Sequence, residues 1–580
     1  DGTGYTTVTR ALSILRRFQA SVWLHGTLNV LATALASDGL EHAAMYFENE
    51  QIGVANRTGQ RVYVIEAHLG RARLLNDIGS LSGEALADLR IAQEEIDSLP
   101  GGLSRDWFRA SAVVTQAEGQ LWQRSNADSQ ALDSAVVFFD RVRSHLWLIP
   151  ALVDRANLRL DRGDAGGGAE DLSHVLAIFD RERADIDTNA FRVSVVRRTR
   201  AIADRLVLLR IATGHPDAAL DILEHQRVAV SPYASHLVPV AGATHRDEVI
   251  LDYAFVGDTL LTWVITDSSV RLIRRTVSHT GWTRGVERVR AALELRTDGP
   301  QLRHELAAAY ATLIAPVRTY VPPSAPLAVV ADDDIQAVPF AALYDSTGGR
   351  FLAEDHVLRF APSVEDARSG RVSSTKRPAL LVADPAFDAT AYPTLARLPG
   401  ARAEVDSIAA MYENKTILEG SAATEQSITT LLRGARVWHY AGHAILDDEH
   451  PERSRLVLAR TSGQAAATLR GSDVERLDLR RLDLVVLSAC RTLDAQSNGP
   501  GGFSGLAASF LTAGAGGVVG GLWQVDDRRT ARLMIAFHRA YRESGDPAAA
   551  LRSAQLVMLR SGDPDLRSPA TWAAFRYAGR

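Results

Sequence analysis

From residue 379 onward the chain alternates short apolar runs with amphipathic stretches, and this alternation limits the fold more than any other feature. The runs are ALLVADPAF, KTILEG, ARVWHYAG, DLVVLSAC and GGVVGGLW. Among them lie GARAEVDSIAAMY, TEQSITTLLRG, GLAASFLTAG, RRTARLMIAFHRAYRES and DPAAALRSAQLVML, whose apolar residues recur at helical spacing. Thr424 is the expected N-cap of its helix. Strand–helix alternation of this kind predicts an α/β fold, a mainly parallel sheet flanked by helices. In such sheets, functional groups gather outside the carboxyl ends of the strands. Two of these ends carry reactive side chains: His443 follows ARVWHYAG, and Cys490 ends DLVVLSAC.

The upstream sequence has two other textures. VILDYAFVGDTLLTWVITDSSVRLIRRTV alternates apolar and polar residues around GD and DSS, which predicts a hairpin or three-stranded meander. Helices are expected near 282–295 and 301–317. APLAVVADDDIQAVPFAALYDS then gives a buried strand, an acidic turn and a short helix after Pro339. ADDD lacks the spacing of a calcium loop, so a turn is the better reading. RSGRVSSTKRP, residues 368–378, is a polar linker. Before residue 235 the pattern is helical and loosely repeated. LATALASDG, RARLLNDIG, RANLRLDRG and LLRIATG each precede a second helical stretch. A glycine just past a helix end takes the left-handed conformation without a Cβ penalty. The spacing of ~40 residues resembles tetratricopeptide (TPR) repeats, which stack into a curved surface. An irregular helical bundle is the competing reading.

A chain of 580 residues is too long for one core. Its single cysteine excludes an internal disulfide and a cysteine-rich zinc module, and fits a reducing cytoplasm. The net charge of -5 gives no basic nucleic-acid footprint. No apolar run approaches the ~20 residues that span a bilayer. The first residue is Asp1 rather than Met, so a missing signal peptide carries little weight. Abundant Ala, Arg and Gly beside scarce Lys suggest a GC-rich bacterial source.

A thiol is a nucleophile as thiolate, and a nearby imidazole favours that form. Two parallel strands ending in the same direction would bring His443 and Cys490 together as a dyad: Cys490 attacks a carbonyl and His443 moves the protons. The backbone N–H groups of Cys490 and Ala444 are the candidate oxyanion donors. Gly501, Gly502 and Gly505 would form a substrate or activation loop beside the nucleophile. The competing reading is that a lone cysteine is a small core residue. His439 shares a strand face with His443, about 13 Å away at ~3.3 Å per residue, so the two cannot share one metal. It is expected as a packed strand residue, with a role in orienting the dyad as the alternative. His450 reads as loop surface. Asp447, Asp448 and Glu449 read as a solvated acidic group near His443. No cofactor or metal is expected.

HYAGHA, SRLVLA, LVVLSACRT, GPGGFSGLAASFLTAGAGGVVGGLWQVDD and SPATWAAFRYAG resemble the CHAT protease family, caspase-like cysteine peptidases, and LAVVADDDIQAVPFAAL and LPGARAEVDSIAAMY extend the likeness upstream. The resemblance covers roughly 247–580. It implies His443 as general base and acid, Cys490 as nucleophile, and a protein substrate recognised by a short linear sequence. Many family members have Gly where this chain has Ala444. That keeps the N–H but would not tolerate a demanding backbone angle. In the related separases a stretch like LWQVDD borders the substrate pocket, so Asp526 or Asp527 would select a basic side chain. The competing reading is that this pair caps the helix after it. The expected organisation is a TPR-like domain at 1–235, a supporting half at 247–367 and a catalytic half at 379–580. The implied activity is that of a bacterial cytoplasmic endopeptidase in regulated proteolysis such as antiphage defence, with a gasdermin-like substrate. An activator or substrate would dock on the helical array, and the loop 491–505 would hold the enzyme latent until then. The rivals are a catalytically silent scaffold with the same fold and an acyl transfer other than hydrolysis.

Overall fold

The computed structural model describes residues 2–18, 21–78, 83–122, 128–184, 189–230, 248–368, 378–447, 453–460, 467–489, 491–493, 506–524 and 526–579. The chain forms two compact units, Asp1–Glu182 and Arg183–Arg580. Most of the expected 368–378 linker lies outside the described residues.

The first unit is helical throughout its described residues. Its helices run Gly2–Phe18, Ser21–Ser37, Glu41–Thr58, Arg61–Asp77, Gly83–Asp97, Leu103–Trp122, Ser129–Arg141 and His145–Asp161, and Ala165–Ala184 reaches its end. Gly39 and Gly163 sit in the left-handed region at φ 73° and 83°, as expected for glycines that end helices. The loose repeat has a structural counterpart. Arg71 grips Asp88 with Nε and Nη2 at 2.7 and 2.8 Å and reaches back to Asn49 at 2.7 Å. Arg155 grips Asp171 at 3.0 and 2.7 Å and reaches back to Asp133 at 3.0 Å. Both arginines make the same step backward, and each ties its own helix to the helices before and after it with one planar fork.

Among the described residues, the second unit is built on an eleven-stranded sheet. In spatial order its strands are Val270–Thr276, Thr259–Ile265, Val249–Val256, Leu327–Ala331, Leu358–Phe360, Phe575–Gly579, Gly517–Gly521, Leu484–Ser488, Val437–Ala441, Ala379–Ala383 and Lys415–Glu419. All five strands expected after residue 379 are present, and the upstream meander is three-stranded. The pairings are parallel except within that meander and between Gly517–Gly521 and Phe575–Gly579. Phe575–Gly579 also pairs in parallel with Leu358–Phe360. It therefore welds the two parts of the sheet together, and their parallel strands point their carboxyl ends to opposite edges. This strand and Leu358–Phe360 are not evident from apolar periodicity, because each is short and one lies between helical signals.

Alternation along Val249–Val256 feeds two cores. Val249, Leu251, Tyr253 and Phe255 join the large core of the unit. Ile250, Ala254 and Val256 face the other way, onto Val207 of the helix Asn189–Ala212 and Ala219, Leu220 and Leu223 of Pro216–Val230. That helix pair keeps the hairpin form of the repeats, and Gly214 between them has φ 83°. Its apolar face, however, covers the sheet. Asp252 interrupts the apolar run and is fully buried. Arg227 resolves this charge: its guanidinium lies 2.6 and 2.8 Å from Asp252, 2.7 Å from Asp332 and 2.7 Å from Glu224. Asp332 belongs to the ADDD segment, so the acidic turn serves as an internal ion-pair partner.

Candidate active site

The strands Val437–Ala441 and Leu484–Ser488 are neighbours, parallel, and paired Ala441 to Ser488. His443 stands two residues beyond this level of the sheet, and Cys490 follows Ser488 by two residues in the sequence. Cys490 lies outside the described residues, as do Gly501, Gly502 and Gly505. Arg491, immediately after the cysteine, has φ 55°. Thr492 Oγ1 accepts from Gly521 N–H at 3.0 Å, and Leu493 N–H donates to Gly521 O at 2.9 Å. These bonds tie the segment after the cysteine to the next strand.

The turn into His443 is set by close packing. A Cβ on Gly442 would lie 2.6 Å from the Tyr440 hydroxyl. That hydroxyl is buried 2.7 Å from Val457 O and 2.9 Å from His443 O, so it can donate to either. The His443 ring meets Phe387 edge-on at 5.5 Å, and its Nε2 lies 2.6 Å from Ala396 O. A carbonyl only accepts, so Nε2 carries the proton and Nδ1 is the basic nitrogen.

Ala396 is held in turn. Asp384 comes directly after the adjacent strand Ala379–Ala383, donates its N–H to Ala441 O at 2.9 Å, and has a left-handed φ of 41°. Its buried carboxylate accepts from Arg397 Nε at 3.0 Å and from Leu398 N–H at 3.3 Å. Asp384 thus fixes the segment that presents Ala396 O to His443. Sequence reasoning passed over it, although the signal was there. It ends the run ALLVA just as His443 and Cys490 end theirs.

Ala444 pairs with Leu456 in a small antiparallel sheet, while Val457 N–H donates to His443 O at 2.9 Å. Hydrogen-bonded and non-bonded pairs alternate in such a ladder, so the Ala444 N–H faces away from that strand. Ala444 is not among the described non-glycine residues with positive φ. The alanine therefore meets no conformation that demands glycine.

Asp526 is the N-cap of the helix Asp527–Ser544. Its Oδ1 accepts from Arg528 and Arg529 N–H at 3.2 and 3.3 Å. It also lines a cleft of about 650 Å³ together with Arg491. Asp527 instead accepts from Gly400 N–H at 2.8 Å, and burial raises its carboxyl above the usual range. A Cβ on Gly400 would collide with that carboxylate. The structure thus separates the two acids: one borders the cleft and the other clamps a neighbouring turn.

His439 is fully buried beneath this edge, in a chain of polar groups. Its Nε2 lies 3.0 Å from Glu404 Oε1, out of line for a hydrogen bond, and its Nδ1 lies 3.1 Å from His538 Nε2. His538 Nδ1 lies 2.9 Å from the Tyr412 hydroxyl. One arrangement satisfies both hydrogen bonds: Tyr412 donates to His538 and His538 donates to His439, which leaves the His439 N–H on the Glu404 side. Burial, reinforced by His439, holds the His538 imidazole well below its ordinary range.

These strands, the helices around them and the closing strand lie in one matched region. Residues 303–580 match the family model of the CHAT domain. The sheet extends beyond that region, because the meander and the helix His279–Glu294 precede residue 303. Among solved structures, the separase–securin complex of Saccharomyces cerevisiae is similar at 9% identity and TM-score 0.48, covering 97% of this chain and 50% of that one. A second structure of that complex gives a TM-score of 0.46. The pro- and mature domains of Porphyromonas gingivalis RgpB match at 12% identity and TM-score 0.31, over 50% of this chain and 70% of that one. The chain spans about half the length of the separase chains it matches. No curated protein sequence matches it significantly. Among the described residues, no helix is long and apolar enough to cross a membrane.

Proposed function

We propose that this chain is a cysteine endopeptidase in which His443 and Cys490 form the catalytic dyad. The observation that carries the reading is the Ala441–Ser488 register, which gives the two residues equal reach beyond adjacent parallel strands. His443 Nδ1 takes the thiol proton, and the thiolate attacks the peptide carbonyl. The N–H groups of Ala444 and Cys490 receive the oxyanion. The same imidazole protonates the leaving amine, and water then releases the acyl-enzyme as a carboxylic acid and frees the thiol. Ala396 O keeps the ring in the required tautomer. Asp526, whose two cap bonds both use Oδ1, keeps Oδ2 for a basic side chain of the substrate. The family likeness reads Gly501, Gly502 and Gly505 as part of a substrate or activation loop beyond the nucleophile.

Docking of an activator or substrate on the helical unit, a bacterial cytoplasmic setting, and a defence role with a gasdermin-like target belong to the same reading through the family likeness. The test compares wild type with Cys490→Ala on a peptide library, with labelling by a thiol-reactive peptide electrophile alongside. Cutting and labelling that both vanish in the variant, and hydrolytic product masses, are the expected results. A thiol that reacts no faster than a free cysteine, and no faster with His443 than with His443→Gln, would favour a silent scaffold.

A further inference from the structure

The eleven-stranded sheet ends on each side in a strand with one partner, and among the described residues no further strand pairs with either. A bare sheet edge is a row of unpaired donors and acceptors, which a chain either guards or uses. The two edges differ in how they would meet a second copy of themselves. Val270–Thr276 reads VRLIRRT. Laid antiparallel on its own copy about Ile273, it sets Arg271 against Arg275, and like charges directly opposite repel. Lys415–Glu419 reads KTILE. The same operation about Ile417 sets Lys415 against Glu419, Thr416 against Leu418 and Ile417 against itself.

The backbone presents this second edge in the phase that such pairing needs. Ala379 stands opposite Lys415 in a parallel pair, and its N–H donates to Asn414 O at 3.0 Å. In that ladder the residue directly opposite sends its own N–H and C=O the other way, so those of Lys415, Ile417 and Glu419 face outward. These are the residues that a two-fold axis at Ile417 makes into hydrogen-bonded pairs. The two Ile417 residues would exchange N–H and C=O, and each Glu419 N–H would reach the Lys415 carbonyl of the other copy.

The side chains agree with the backbone. Leu418 packs on the core, whereas Ile417 is 37% exposed and Lys415 and Thr416 are exposed beside it. Side chains two apart share a face, so Lys415, Ile417 and Glu419 form one row with a charge at each end. Facing its copy, the row closes as two Lys–Glu pairs around an apolar centre. Lysine on an edge is a common guard against pairing. Here the glutamate four residues on turns that guard into a match for the chain's own copy.

We infer that Lys415–Glu419 is a homodimer interface, at which two copies of this chain join antiparallel about a two-fold axis at Ile417 into one continuous sheet. The partner is a second copy because the edge is complementary to itself, in charge and in backbone phase, as an isologous contact requires. This proposal stands apart from the endopeptidase reading. Lys415–Glu419 runs parallel to Ala379–Ala383 and Val437–Ala441, so antiparallel joining turns the two copies of His443 towards opposite edges of the combined sheet. A contact built on a five-residue strand is small, so dimerisation should depend on concentration.

The test is sedimentation velocity of the full chain over about a hundredfold range of concentration. The wild type should pass from monomer to dimer. Lys415→Glu sets like charges opposite at both ends of the contact and should raise the dimer dissociation constant about tenfold, and adding Glu419→Lys should restore it to within about threefold. Ile417→Pro removes an N–H that faces the second copy and none that bonds Ala379–Ala383, so it should abolish the dimer while the chain stays folded by circular dichroism. A carbodiimide, which joins an amine directly to a carboxylate, should link Lys415 of an isotope-labelled copy to Glu419 of an unlabelled one. Within one copy the two lie about 13 Å apart along the strand, too far for that link. Lys376 is the other lysine of the chain, so the linked peptides are simple to assign. A chain that stays monomeric throughout overturns the proposal. So does a dimer that ignores Lys415→Glu, that Glu419→Lys does not restore, or that carries no Lys415–Glu419 link.

Discussion

The two sides of the sheet handle buried charge in opposite ways. On the side of the strands before residue 368, Arg227 is enclosed by Asp252, Asp332 and Glu224, and these carboxylates occupy its fork. On the side of the proposed dyad, the strand ends carry Asp384 and His443, and the imidazoles of His439 and His538 are buried beneath them. Both sides contain parallel strands with helices packed on them. The difference lies in the residues just beyond each strand. Ala331 is succeeded by an acid that a helix from upstream seals, whereas Ala441 is succeeded by a glycine turn that presents a histidine. A sealed ion-pair cluster fixes the fold, while a carbonyl-held imidazole keeps one nitrogen available for chemistry.

The largest effect that would sharpen this contrast is at His443. His443→Gln should lower peptide cleavage by about 10²- to 10⁴-fold. Urea unfolding should move by no more than about 0.5 kcal/mol, because the residue closes no core. An equal loss of stability would erase the distinction between the two sides. The mirror experiment is Arg227→Met. It strands three carboxylates in the core and should cost about 3–5 kcal/mol of stability in a urea titration. A loss under about 1 kcal/mol would mean that water reaches the cluster, and that it is not sealed.

A smaller effect is expected at Asp384, which acts on the histidine only through Arg397, Leu398 and Ala396. Asp384→Asn should lower kcat/KM about ten- to a hundredfold by loosening the carbonyl that orients the ring. Adding it to His443→Gln should cost little more activity, because the two share one function. Additive losses would place Asp384 in a separate role.

The smallest effect is a pH slope. His538 is depressed in the folded state while an unfolded histidine titrates near ~6.5. The folded state therefore binds fewer protons, and this contribution to stability is complete above about pH 6.5. It is lost as the pH falls towards the folded-state value, by up to about 1.4 kcal/mol per pH unit for this one group. His538→Gln should flatten that slope in urea titrations at pH 7 and pH 5.5, and an unchanged slope would show that the pair is already hydrated.

Much of this was legible in the sequence. The five apolar runs after residue 379 became strands, and Thr424 caps its helix by accepting from Ser427 N–H at 3.2 Å. Local rules suffice there, because side-chain period and cap chemistry act within a few residues. The strand end at His443 could be found in the same way. The partners of that histidine could not. Ala396 O lies 47 residues away along the chain and is a backbone atom, which no motif encodes.

The sequence by itself determined the strand–helix alternation, the helical repeat texture and the polar residues that end each apolar run. Those arise from short-range sterics and burial. Only the tertiary structure decided that Phe575–Gly579 would join two sheets of opposite direction, that Asp332 would close on Arg227, and that Asp526 and Asp527 would part company. Each of these depends on which distant segments meet. That choice is made by the packing of the whole core, where hundreds of weak contacts act together and no single stretch of sequence carries the outcome.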